Sequence, residues 1–479
     1  MISGTPLAHD DSLPKLAEAL NASRMKGEFE KHLFSRSVRT QDGNNGRFHV
    51  EECRIERVKY KRGQKCLVCY ALDISDGKHG NVTRQLVSTR MYPPGRSRSR
   101  FEKASQQTLG KPTVGLPLVH IGHLDMVAWA FPNERKLAGL PLLVDPDRLL
   151  QQQLPRLVRG HFGPSWTISG VDHAIAHYVP ERSCTVRVEM KLEQKKTAAQ
   201  RYWTVFGKTY YNDDGREVFR HMRQLRGNSA VPSQVLELPQ ALAYDESSRT
   251  LWQEGLCGDP LMKRHPAGNV AGEDAVLLAH AIAEFHTRAI DRLPLRTVSG
   301  VLTDAIDKLT IISAAWPACA DRCSEVAALL AASVPPECDL GTLHTDLHPN
   351  NVFLFAGRIA LIDLDGLLRG PVLADLGSWN AGALYRARLH NVPFDECQAE
   401  LAAFARHYQD YRGIKLEPES LNWFTAAALV SERCSRAVSR LKPGRLQIID
   451  DLAALAVSLA RGEKTILRPG YGLRLRTVS

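Results

Sequence analysis

The chain has 479 residues, 44% of them hydrophobic and 24% charged, with a formal net charge of +10. The length suits roughly three domain-sized units, and the composition excludes a disordered chain. With no basic segment followed by an apolar core at the N-terminus and no apolar run of bilayer length, a cytoplasmic protein without a membrane partner is expected.

The elements follow in chain order. Leu13 to Leu20 reads as a short amphipathic helix, and Gln41-Asp42-Gly43-Asn44-Asn45-Gly46 as a turn cluster. Strand-like runs then cover Arg54 to Tyr60, Cys66 to Leu72 and Gln85 to Tyr92, with a turn at Lys61-Arg62-Gly63-Gln64 and a helix starting near Phe101. The densest basic stretch, Arg96-Ser97-Arg98-Ser99-Arg100 after Pro93-Pro94-Gly95, is read as a solvated loop. A nucleic-acid partner would rest on charge alone and is disfavoured. The ten cysteines are read as scattered without paired spacings such as C-x-x-C, each a buried or inert thiol, with neither a zinc site nor a disulfide framework.

The same order returns further on. His177-Tyr178, a turn at Pro180-Glu181-Arg182-Ser183, the runs Cys184 to Met190 and Tyr202 to Tyr211, and a helix from Val218 to Leu225 repeat the plan. Tyr60 and Tyr178, Cys66 and Cys184, Tyr92 and Tyr210, and Phe101 and Phe219 are each 118 positions apart. An internal duplication of a β-rich module follows. It extends to Met126-Val127-Ala128-Trp129-Ala130-Phe131-Pro132, mirrored by Arg249-Thr250-Leu251-Trp252-Gln253-Glu254-Gly255, while the helical Asp145 to Val158 joins the copies.

Beyond Gly258 the pattern turns helical: Ala275 to His286, Leu302 to Ala332, Cys397 to Tyr411, Leu421 to Leu441 and Ile448 to Ala460. Strands followed by helices predict an α+β, two-lobed plan with ligands in a cleft. Within the helical part lies His344-Thr345-Asp346-Leu347-His348-Pro349-Asn350-Asn351, then a hairpin-like stretch ending at Leu361-Ile362-Asp363-Leu364-Asp365-Gly366. An aspartate, an asparagine five residues on, and a further aspartate after an apolar run suit metal-assisted phosphoryl transfer. Asp346 would take the proton of an attacking hydroxyl, and Asn351 and Asp363 offer hard oxygens to Mg²⁺, with Asp365 as an alternative for the second position. His344 reads as a hydrogen-bonding brace.

These residues, with Gly370-Pro371 and Ala374-Asp375-Leu376-Gly377, resemble the aminoglycoside phosphotransferase and choline kinase-like superfamily. The resemblance covers roughly Tyr178 to Ala460. It implies a protein-kinase-like fold, ATP as donor, Mg²⁺ as cofactor and a small-molecule hydroxyl as acceptor. By it Asp346 is the base, Asn351 and Asp363 are metal ligands, and Asp375 braces the loop. Lys208, on the family's third strand, would reach the nucleotide phosphates, with Glu217 weighed as its ion-pair partner. Gln253 and Gly255 would stand at the adenine edge, and Ser183 in a short phosphate-covering turn. The expected layout is a non-catalytic module over 1–150, a kinase N-lobe over 151–256 and a helical C-lobe over 257–470. In the first module Arg90 stands where Lys208 does in the second, and an arginine cannot be assumed to replace that lysine.

The expected function is an ATP- and Mg²⁺-dependent kinase of a sugar, amino sugar or amino alcohol; the alternative is a catalytically silent nucleotide-binding regulator or scaffold. Arg433, Arg436 and Arg440 fall on one helix face, where acidic neighbours or solvent satisfy them or they border an anionic or sugar acceptor. Acceptor identity and oligomeric state are not legible in the sequence.

Overall fold

A computed structural model describes residues 10–34, 48–76, 82–195, 197, 199–227, 233–267, 270–336, 339–441 and 444–467. The Gln41–Gly46 turn cluster lies outside them. The chain divides into two compact units. One holds Met1–Arg216, Leu242–Glu254 and Ser439–Pro443; the other holds Glu217–Ala241, Gly255–Val438 and Gly444–Ser479.

The first unit contains two sheets. Strands β1 (His49–Lys61), β2 (Lys65–Ser75), β3 (Val82–Met91), β4 (Leu118–Ile121) and β5 (Met126–Ala130) form a sheet in the order β1-β2-β3-β5-β4. Strands β6 (Trp166–Val179), β7 (Ser183–Gln194) and β8 (Gln200–Tyr210) follow, then, after the two-residue β9 (Leu236–Glu237) of the other unit, β10 (Ala241–Asp245) and β11 (Thr250–Glu254). The second sheet runs β6-β7-β8-β11-β10, the same order as the first.

The match extends to register. Tyr60 pairs with Cys66 and Cys66 with Met91; Tyr178 pairs with Cys184 and Cys184 with Thr209. The hairpin position held by Gly63 in the first copy, at φ +68°, is held by Glu181 in the second, at φ +59°. Met91 pairs with Met126 and Thr209 with Thr250, so Met126 corresponds to Thr250 and not to Arg249. Aligning the tryptophans is therefore one residue out. Because neighbours on a strand face opposite sides, Trp129 and Trp252 lie on opposite faces of equivalent sheets.

Each sheet is covered by helices that precede it. Phe29, on the helix Ala22–Leu33, meets Tyr70 of β2 edge-on at 5.0 Å, and the Tyr70 hydroxyl donates to the Ala19 carbonyl. On the second sheet, Leu140, Leu143, Leu149, Leu154 and Leu157 form one core with Cys184, Val186, Val188, Val205 and Trp252. The segment between the copies is thus part of the second core. Burying a leucine in this way stabilises by about 2 kcal/mol.

Two local readings change. Ser97–Ser105 is helical, so the arginine run opens a helix, with Arg98 and Arg100 exposed as expected of a solvated stretch. Ser97 is buried and donates to Asp125 Oδ1 at 3.1 Å, which anchors that start. Cys66-Leu67-Val68-Cys69 does have C-x-x-C spacing, but on an extended strand the two thiols face opposite sides. Burial pushes both up, Cys69 to about 12, as befits inert core thiols.

In the second unit β12 (Asp259–Pro260), β14 (Val352–Phe355) and β15 (Arg358–Leu361) form a sheet with β9, while β13 (Leu340–Leu343) pairs with β16 (Leu368–Pro371). Helices surround them: Gly272–Thr287, Val298–Ala315, Ala320–Ala332, Leu373–Leu389, Phe394–Arg412, Pro418–Ala428 and Ile449–Ala460. A π-helical turn, Leu429–Cys434, continues Pro418–Ala428 into the helix Ser435–Arg440. The whole chain is α+β, with strands dominating the N-terminal half and helices the rest. No helix among the described residues is long and apolar enough to cross a membrane.

Candidate active site

The loop between β13 and β14 carries His344 to Asn351, and the β14–β15 hairpin returns the chain to Asp363 beside it. Antiparallel β13 and β16 fix the start of the loop. Its first two amides are taken by one carboxylate: His344 N–H donates to Asp375 Oδ2 at 2.6 Å and Thr345 N–H to Oδ1 at 2.9 Å. Asp375 is 1% exposed and lies in the first turn of Leu373–Leu389. Burial alone would raise its carboxyl, but the hydrogen bond and charge of His286 and the His344 amide outweigh that and hold it below the usual range. His286 spans 3.3 Å to Asp375 Oδ2 and 2.7 Å to the Tyr408 hydroxyl.

His344 is fully buried, its Nε2 2.9 Å from the Ile362 carbonyl, which ties the loop to the strand leading into Asp363. That is the bracing role read from the sequence. Thr345 and Asp363 both adopt left-handed backbone, at φ +66° and +59°. The Thr345 hydroxyl donates to the Gly366 carbonyl at 2.9 Å. Strain of this kind persists only where surrounding bonds over-determine it, and here they do.

Asn351 is 7% exposed; its Nδ2 donates to the Asp346 carbonyl at 3.0 Å. The side-chain atom it can offer a cation is therefore Oδ1. Asp363 is exposed and Asp365 half-buried in the 3₁₀ turn Leu364–Gly366. Hard oxygens from an asparagine and an aspartate, on a loop and a hairpin end tied by His344, fit a magnesium ion.

Asp346 is half-buried, and two basic side chains face it. Arg436 Nη2 donates to Oδ1 at 3.2 Å, and His348 Nε2 lies 3.7 Å from Oδ2. Burial works to raise this carboxyl, yet His348 and Arg436 together hold it well below the usual carboxylate range. Neither partner was paired with Asp346 in the sequence reading. Arg436 stood there in a row of arginines expected to meet acidic neighbours or solvent or to border an acceptor, and His348 only as a member of the quoted motif.

The arginine row splits in the structure. Arg433 is buried, donates to the Ser378 carbonyl at 3.2 Å and lies 3.3 Å from Glu432, whereas Arg436 reaches the loop. A cavity of about 390 Å³, counting its open mouth, lies beside the loop between Arg296, Thr345, Ser378, Phe424 and Glu432.

Gly255 belongs to the same unit as this loop, while Lys208, Ser183 and Gln253 belong to the other. Lys208 is half-buried on β8, its Nζ 5.5 Å from the Tyr210 ring centre. Ser183 is buried at the start of β7, opposite Tyr210. Gln253 is half-buried on β11, opposite Phe206. Glu217 pairs with Arg220 on its own helix.

No curated protein matches the chain. Among solved structures, it is similar to a choline kinase of Cryptosporidium parvum Iowa II, at 11% identity and a TM-score of 0.42, over 61% of this chain and 89% of that one. A choline/ethanolamine kinase family protein of Mesorhizobium loti shares 13% identity, TM-score 0.40, over 66% and 99%. The macrolide 2'-phosphotransferase of Brachybacterium faecium shares 16%, TM-score 0.41, over 63% and 97%. Residues 201–417, which contain all but the first residue of β8 and the whole of the loop just described, match the model of the phosphotransferase enzyme family.

Proposed function

We propose that the chain transfers the γ-phosphate of ATP to a hydroxyl of a small molecule, a sugar, amino sugar or amino alcohol, with Mg²⁺ as cofactor. The observation that carries this reading is the joint fixing of Asp346, Asn351 and Asp363 by Asp375 and His344 on the stretch that matches the family.

Asp346 orients the acceptor hydroxyl and accepts its proton. A carboxylate held as low as this one is a weak base, so the proton moves late, once bond formation to phosphorus has made the hydroxyl strongly acidic. A loose transition state asks for no more. Asn351 Oδ1 and Asp363 would hold the metal, whose charge offsets that of the phosphates. On this reading Lys208 binds the nucleotide phosphates, the turn before Ser183 covers them, and Gln253 and Gly255 serve the adenine edge.

The test is release of ADP across a panel of hydroxylated small molecules, with and without Mg²⁺. Asp346→Asn should abolish acceptor-dependent release while the circular dichroism spectrum is unchanged; wild-type turnover in that variant removes Asp346 from the mechanism. A second reading, a catalytically silent nucleotide-binding protein, is favoured by the ion pair that Arg436 makes with Asp346. Nucleotide binding with no ADP release over the whole panel supports it.

A further inference from the structure

The tip of the β6–β7 hairpin is held by the first copy of the duplicated module. Glu181 is its central residue, with a side chain 12% exposed. Its carboxylate accepts from Arg90 Nη1 at 2.7 Å to both oxygens, from Arg135 Nε at 2.7 Å and from Arg135 Nη2 at 3.0 Å. Its backbone N–H donates to Glu134 Oε2 at 3.0 Å, and the same oxygen accepts from the Tyr178 hydroxyl at 2.7 Å. Side chain and main chain of one turn residue are thus both fixed, and among the described residues every hydrogen-bond partner outside the hairpin comes from the first copy.

The duplication gives these partners their meaning. Arg90 on β3 occupies the position that Lys208 occupies on β8, and each cation lies beside the tyrosine two residues on, Arg90 at 5.2 Å from Tyr92 and Lys208 at 5.5 Å from Tyr210. Glu134 and Arg135 come from the segment after β5. In the first copy, then, the position equivalent to the nucleotide lysine is engaged by an internal carboxylate. Two guanidinium groups on one carboxylate, Arg135 forked through Nε and Nη2 and Arg90 through Nη1, are also what would grip a phosphate.

We propose that the first β module is a brace for nucleotide binding: Arg90, Arg135 and Glu134 hold the turn around Glu181 in the shape that covers the nucleotide phosphates. This rests on the phosphotransferase reading above. The first module takes no nucleotide of its own, because Glu181 fills its anion position, and Glu181, Arg90 and Arg135 act as positioning residues.

The variant Glu181→Gly tests this without straining the chain, since the left-handed backbone at Glu181 suits glycine, as Gly63 shows in the first copy. Arg90→Ala/Arg135→Ala removes the same brace from the other side. Either should speed amide hydrogen exchange over Val179–Ser183 and raise the KM for ATP by about tenfold, with kcat within about twofold, a coupling of ordinary size for residues in contact. Combining them should add nothing further, and Arg90→Lys/Arg135→Lys should recover part of the loss. Unchanged exchange, an unchanged KM, or additive effects would overturn the brace. Titration of the wild-type chain with ATP separates the two readings: no binding there overturns the phosphotransferase assignment, whereas wild-type binding with an unaltered KM in the variants overturns the brace alone.

Discussion

The Arg436 guanidinium lies 3.2 Å from a carboxylate oxygen of Asp346, 90 positions earlier in the chain. Removing it takes away one of the two partners that hold the Asp346 carboxyl down, so in Arg436→Ala that carboxyl rises toward its ordinary value of about 3.9. The acid limb of kcat/KM should then move to higher pH than in the wild type. A superimposable pH profile would show that Arg436 does not act on Asp346. If Arg436 also borders the acceptor, its loss raises the acceptor KM. Arg433→Ala, at a residue tied to Ser378 and Glu432, should show itself in stability instead.

Asp375→Asn replaces a buried carboxylate that accepts both His344 and Thr345 amides and lies against His286. An amide offers one acceptor oxygen for two donors, leaving a buried N–H unmatched. The expected cost is about 2–4 kcal/mol, visible as a lower Tm, with ADP release falling alongside because the loop loses its anchor. Wild-type Tm and turnover would contradict this account of the loop.

Gly377 lets the helix Leu373–Leu389 approach the helix Pro418–Ala428: a methyl group there would meet the Phe424 backbone at 2.7 Å. Gly377→Ala should destabilise by about 1–3 kcal/mol even though alanine favours a helix. Thermal unfolding decides it; a stabilised variant would mean that the helices can part without loss.

The Glu181 clamp predicts a pH dependence of stability. Burial works to raise the Glu181 carboxyl, but the hydrogen bonds and charges of Arg135 and Arg90 overcome it and bring it down to about 2. A depressed carboxyl stabilises the fold fully above its unfolded value, roughly 4.3. That contribution, on the order of 3 kcal/mol, disappears as pH falls toward the folded value. Unfolding of the wild type and Glu181→Gln in denaturant should therefore differ most above about pH 5 and converge toward acid. A gap that stays constant with pH would argue against the charged pair.

The loop was legible from sequence because its residues are local: Asp346, Asn351 and Asp363 lie within one short stretch, and Asp375 follows directly. The strands of both modules and the 118-residue repeat were legible for the same reason, since alternation and turns are local patterns. What escaped depends on distance. His286 and Tyr408 reach Asp375, and Arg436 reaches Asp346, only after the helices have packed, and no spacing rule reports that. The tryptophan alignment failed differently. Trp129 and Trp252 look equivalent by type, but ladder register sets which face a residue takes, and the copies differ there by one position. Glu181 was read as part of a turn, because its arginine partners lie 91 and 46 positions away.

The π-helical turn Leu429–Cys434 sets where Arg436 points. Each residue advances an α-helix by about 100°, and a π-bulge amounts to one inserted residue. Excising a single residue from this turn would let the helix close up and swing everything downstream through roughly that angle. Arg436 would lose its aim at Asp346 although no side chain at either position had been altered. The phase of one helix, and not only the identity of its residues, is therefore part of what this protein must inherit intact.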